Sequence, residues 1–184
     1  MKISTKDLVF CGIFSALIAV GAFLKIPIPP VPISMQTFFV SLAGIFLGSG
    51  LGAVSVMVYI CIGLIGIPVF TSGGGIMYIF TVTFGYLLGF VLQAFLTGFL
   101  LKGKNEPTVK ELSIAVFAGA IVTYIIAIGY YFLLAKLYFQ TDFVLTSVLW
   151  SFFIIFIPGD IAKSIVAIIV GKKLLPVYKQ IRHS

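Results

Sequence analysis

The chain has 184 residues, 61% of them hydrophobic and only 9% charged, with a net charge of +7. Soluble domains carry about 25% charged residues, and here the 76 residues from Ile26 to Leu101 hold no Lys, Arg, Asp or Glu. A soluble fold is excluded, and so is a basic nucleic-acid face, because the bases lie at the ends of apolar runs. An all-α, polytopic protein forming one membrane domain over residues 1–184 is expected.

Lys2 and Lys6 precede an apolar run from Leu8 to Leu24. No small-x-small cleavage pattern stands before Lys25, so this run reads as a retained first helix. Gly12 and Ala16 recur on it at four-residue spacing, with Ser15 and Ala19 alongside. The face is flat, fit for packing within the protein or for docking an external helix. Cys11 and Cys61 lie in spans without metal-ligand spacing and read as small hydrophobes.

Four prolines fall within residues 26–32, giving a stiff, polyproline-like outer connector. A second span follows at 34–47, with Gln36 at its start, and a third at 51–65. Gly44, Gly48 and Gly52 flank the turn between them at a spacing that allows close helix contact. The next outer loop, 66–78, is apolar although it is a loop, and it contains Gly73, Gly74 and Gly75. It reads as a lid over a cavity or as a segment dipping into the lipid interface. Tyr78 and Tyr86 bracket the start of a fourth span at 81–101, and a fifth covers 112–134. Residues 145–156 form a short outer segment. A sixth helix then starts at Pro158, since proline is tolerated at the first helical position, and reaches Leu174; the alternative is one long kinked helix with Asp160 and Lys163 at mid-membrane. With six spans and both termini cytoplasmic, nine bases lie inside and only Lys25 and Lys136 outside, which satisfies the positive-inside rule.

Between Asp142 and Lys172 the only charges are Asp160 and Lys163. Three residues apart, they share one helix face. An ionisable group at membrane depth is costly and marks a functional site by default. The pair reads as a polar-ligand anchor, a structural ion pair or a proton relay. Gln36, Tyr78 and Tyr86 are the kinds of polar group found in a mostly apolar pocket, or else a helix cap and interfacial anchors. Catalysis has no support: His183 is the one histidine, no metal-binding cluster or cofactor motif is present, and no phosphate-binding GxxxxGK[ST] occurs. Active transport would draw its energy from another subunit or from an ion gradient.

Four runs taken together resemble the BioY family: PVPISMQTFF at Pro30–Phe39, GLIGIPVF at Gly63–Phe70, TFGYLLGF at Thr83–Phe90 and IPGDIAK at Ile157–Lys163. They follow in order over nearly the whole chain. The resemblance implies a biotin-binding S component of an energy-coupling factor (ECF) transporter, in a prokaryotic cell membrane. It implies six helices that capture the vitamin at the outer face. The implied partners are a transmembrane T subunit and two cytoplasmic ATPases, which alone use ATP. Lys163 would then take the valerate carboxylate and Asp160 the ureido N–H groups. Gln36, Gly73, Gly74, Gly75, Tyr78 and Tyr86 would line the pocket, and Gly12 and Ala16 would dock the T subunit. The chain departs from many members by reading Thr81-Val82-Thr83-Phe84-Gly85-Tyr86 before the fourth span, and from some by lacking an Asn in the glycine loop. The competing readings are an S component for another vitamin, a proton-coupled carrier and a membrane enzyme. A homo-oligomer is left open.

Overall fold

A computed structural model describes residues 4–28, 31–139 and 154–183. Helix α1 spans Thr5–Phe23 and α2 spans Gln36–Leu64. They are followed by α3 at Phe84–Leu100, α4 at Val109–Leu134 and α5 at Ile157–His183. Capping boxes start two of them. Ser4 and Asp7 satisfy each other's backbone N–H groups at α1, and Thr108 and Glu111 do so at α4.

Helix α2 is not one rod. Gly48 has φ 79° and ψ −175°, outside the helical region. A Cβ on Gly52 would lie 3.1 Å from the Ala43 carbonyl oxygen, and Gln36 bonds Tyr59. In a straight helix, residues 36 and 59 would stand about 34 Å apart. The chain therefore reverses at Gly48, and the two halves, 36–47 and 49–64, match the expected second and third spans. Helix α3 crosses this hairpin so closely that a Cβ on Gly98 would fall 2.3 Å from the Gly48 carbonyl carbon.

The proline-rich connector is less extended than expected. Strand β1 at Lys25–Ile26 pairs antiparallel with β2 at Ile33–Ser34, Lys25 opposite Ser34. Pro27 and Pro32, next to the two pairs, lack N–H donors and cannot extend the ladder. The expected segment at 145–156 falls mostly outside the described residues. The last helix does start at the expected place, but it runs beyond Leu174 and past Pro176 to His183. Proline removes one backbone bond there, and tertiary packing offsets the loss. Tyr178 lies against Phe10 and Phe46 at ring separations of 4.9 and 5.4 Å, and Lys179 donates to the carbonyls of Lys104 and Asn105.

Two large hydrophobic clusters fill the bundle, and a small third joins Val31 and Phe156. Of the large ones, one joins Phe14, Phe46, Leu112 and Tyr178 at the end of the α3–α4 loop. The other joins Ile18, Tyr59, Phe70 and Phe84 at the opposite end. Leu8, Ile13, Phe95, Ile121 and Ile169 point outward and remain exposed. A helical bundle with apolar outer faces is what a bilayer demands, because every backbone group must be satisfied within the helices. Helix α1 and the segment 109–138 are each long and apolar enough to cross a membrane, and the two halves of the α2 hairpin are shorter.

Candidate functional site

At the end away from the α3–α4 loop, a narrow cleft of about 440 Å³, mouth included, opens between the connector, α2, α3 and α5. Val31, Ile33 and Ser34 of the connector form one wall, and Tyr86, Leu87 and Phe90 of α3 form another. Phe156, Asp160 and Lys163 come from the start of α5, and Gln36 and Thr37 from the start of α2. The cleft thus has aromatic and aliphatic walls with a few convergent polar groups, the usual make-up of a small-molecule site.

Asp160 sits in the first turn of α5, its N–H bonded to the Phe156 carbonyl at 2.9 Å. The helix begins at Ile157, directly before Pro158, so the pair lies near the start of α5, at the end of the bundle away from the α3–α4 loop. Lys163 Nζ is 2.5 Å from Asp160 Oδ1, and the two side chains are 11% and 14% exposed, respectively. The ammonium also donates to the Ser34 carbonyl at 2.8 Å. Two of its three N–H groups therefore have acceptors among the described residues, and one is left to face a ligand. The Asp160 carboxylate receives Lys163, the Tyr124 hydroxyl on Oδ2, and Thr37 Oγ1 at a long 3.4 Å. A carboxylate accepts about four hydrogen bonds, so one acceptor position remains for an incoming N–H.

Five of the expected ligand residues, Gln36, Tyr78, Tyr86, Asp160 and Lys163, meet at this cleft. Gln36 is no cap. It is 3% exposed, donates to the Tyr59 hydroxyl at 2.8 Å and accepts from Ser34 Oγ at 3.0 Å. Gly73, Gly74 and Gly75 do not line it. Gly73 and Gly75 have φ of 117° and 101°, and a Cβ on Gly74 would sit 2.4 Å from the Ile67 carbonyl oxygen. These glycines fold the loop back on the end of α2, where Gly75 N–H meets the Gly63 carbonyl at 2.7 Å. The loop then presents Thr71 and Tyr78 to the cleft, their hydroxyls 3.1 Å apart. Thr83 Oγ1 donates to Tyr78 at 3.0 Å.

Thr37, Thr71, Thr83 and Tyr124 are site residues that sequence reasoning missed. Each is a hydroxyl in a mostly apolar stretch, and the only available signal was a polar tip among apolar residues. Beneath Asp160 lies Gln93 of α3, 1% exposed. Its amide donates to Ser41 Oγ at 2.9 Å and to the Thr37 carbonyl at 3.3 Å, and it accepts from Thr123 at 2.8 Å. This floor ties together the helices that carry Thr37 and Tyr124.

Gly12 and Ala16 are exposed on α1, and a Cβ on Gly12 would meet nothing within 4 Å. Ser15 does not share their face. It is buried, donating to the Ser55 carbonyl at 2.7 Å. The outward surface instead combines Gly12 and Ala16 with Leu8, Ile13 and Val20.

The family model described as the BioY family matches residues 1–180. This chain belongs to the BioY family. A probable biotin transporter BioY of Lysinibacillus sphaericus is 40% identical over 179 residues, covering 97% of this chain and 91% of the relative. A biotin transporter BioY of Rhizobium etli is 35% identical over 186 residues, covering 95% and 96%. The crystal structure of the S-component for biotin from an ECF-type ABC transporter superposes with a TM-score of 0.80 at 31% identity, covering 92% of this chain and 90% of that one. BioY proteins are transport components and not enzymes, and the fold is that of an ECF S component in a membrane.

Proposed function

We propose that this chain is the biotin-binding S component of an ECF-type vitamin transporter in the cell membrane of a prokaryote. The observation that carries the reading is the Asp160–Lys163 pair, nearly buried at the outer end of an aromatic-walled cleft. Biotin has an apolar tail, a neutral polar bicycle and a carboxylate, and such a cleft suits it. Six crossings with both termini cytoplasmic complete the reading. It is supported by the cluster of Lys102, Lys104, Lys172 and Lys179 at the end opposite the cleft. A T subunit would dock on Gly12 and Ala16 of α1, and two ATPases would supply the energy.

The division of labour implied by resemblance needs revision. Biotin's carboxylate and ureido ring are separated by the whole valerate chain, whereas Asp160 and Lys163 are in contact at 2.5 Å. Two touching side chains meet one end of the ligand. A carboxylate brought to Lys163 would also meet the like charge of Asp160. The ureido edge, with N–H beside C=O, matches an acceptor beside a donor: Asp160 takes the N–H and Lys163 the carbonyl.

The test is calorimetric titration of biotin into detergent-purified wild type and Asp160→Asn. Tight one-to-one binding is expected, weakened at least about tenfold in the variant, since hydrogen bonds to charged groups are worth about 1.5–3 kcal/mol. Absence of binding in the wild type, or equal binding in both, would overturn the reading.

A further inference from the structure

With the ureido ring on Asp160 and Lys163, the valerate carboxylate must find a cation nearer the mouth. We infer that Lys25 is that cation and that it makes the site selective for a free acid. The inference rests on the proposed biotin reading and deepens it.

Lys25 is the only charged residue between Asp7 and Lys102, and it stands on the rim. Its backbone lies opposite Ser34 in the β1–β2 ladder, and Ser34 lines the cleft. Its ammonium donates to the carbonyl of Thr71, which lines the cleft from the glycine loop. Both partners of Lys25 are thus cleft walls, and the side chain straps the connector to the loop beside the cleft. One N–H of the ammonium is used in that strap, and two are left for an anion among the described residues. Of the described acids, Asp160 lines the cleft but is paired with Lys163, whereas Asp7 and Glu111 start α1 and α4 and Glu106 lies in the α3–α4 loop, at the other end of the bundle. Lys25 therefore offers a carboxylate a cation without the acid neighbour that Lys163 carries. Neither Lys25 nor Lys136, the other base expected outside, lines the cleft itself, but Lys25 is joined to two residues that do, Ser34 and Thr71.

The test compares biotin with biotinamide, which keeps the ring and tail but loses the charge. Both are titrated calorimetrically into wild type, Lys25→Gln and Lys163→Met. Gln keeps a neutral donor for the Thr71 carbonyl, so the strap survives while the charge goes. Lys25→Gln is expected to bind biotin about tenfold more weakly and biotinamide as the wild type does. Its biotin affinity should also lose salt dependence, because a rim charge is screened by salt. Lys163→Met should weaken both ligands alike. Equal weakening of both ligands by Lys25→Gln would make Lys25 a strap only and overturn the inference. So would unchanged biotin binding, or a loss confined to biotin in Lys163→Met. Wild type that binds neither ligand would instead sink the biotin reading itself, and the inference with it.

Discussion

Gln93 shows what a single buried side chain does here. Its amide joins Ser41 and Thr37 of α2 to Thr123 of α4, with one bond at 2.9 Å and another at 2.8 Å. Thr37 and the neighbour of Thr123, Tyr124, both reach Asp160. Interhelical hydrogen bonds in membranes average about 0.6 kcal/mol, but a buried group left unpaired costs about 1–3 kcal/mol. Gln93→Leu strands Thr123 and unpins Thr37. It is expected to lose about 1–2 kcal/mol of stability, read as a lower Tm in detergent, and to weaken biotin binding by a few-fold. An unchanged Tm would mean that the network is dispensable. None of this was legible from a lone Gln in an apolar run. Asp160 and Lys163 were legible because charge at membrane depth is rare whatever the fold.

Among the elements, the α2 hairpin and α1 make opposite use of glycine. Gly98 is pressed on the Gly48 turn, where any side chain would overlap backbone. Gly12 faces open space. Gly98→Leu is therefore expected to abolish folded protein, seen as loss of a monodisperse peak on gel filtration. Gly12→Trp should leave folding and biotin binding intact while uptake by the assembled transporter stops. Uptake at the wild-type rate in Gly12→Trp would remove α1 as the docking face. Glycine spacing in the sequence marked both places but did not tell them apart, because a small residue is compatible with contact inside the protein or outside it. The glycine loop is a similar case. Its three glycines pointed to close backbone approach, and the approach is to the end of α2, so that Thr71 and Tyr78, rather than the glycines, face the cleft.

Across the whole molecule, the loop carbonyls of Lys104, Asn105 and Pro107 receive Lys179 and Lys172, so the basic residues in the second half of α5 and those of the α3–α4 loop share one end. In cells carrying a Cys11→Ala, Cys61→Ala background, Ile76→Cys is expected to react with a membrane-impermeant thiol reagent from outside, and Lys102→Cys only after lysis. The reverse pattern would invert the orientation. Hydropathy and charge by themselves determined the membrane class, the helical character and the approximate extent of the helices, because hydrocarbon admits few charges and no unpaired backbone. They also singled out Asp160 and Lys163. Only the tertiary structure decided that the two ions touch, that Thr37 and Tyr124 hold one of them, and that α5 continues through Pro176. It alone joined Lys25 to the Thr71 carbonyl. Those facts depend on which residues distant in the chain come within about 3 Å, and helical periodicity carries no information about that.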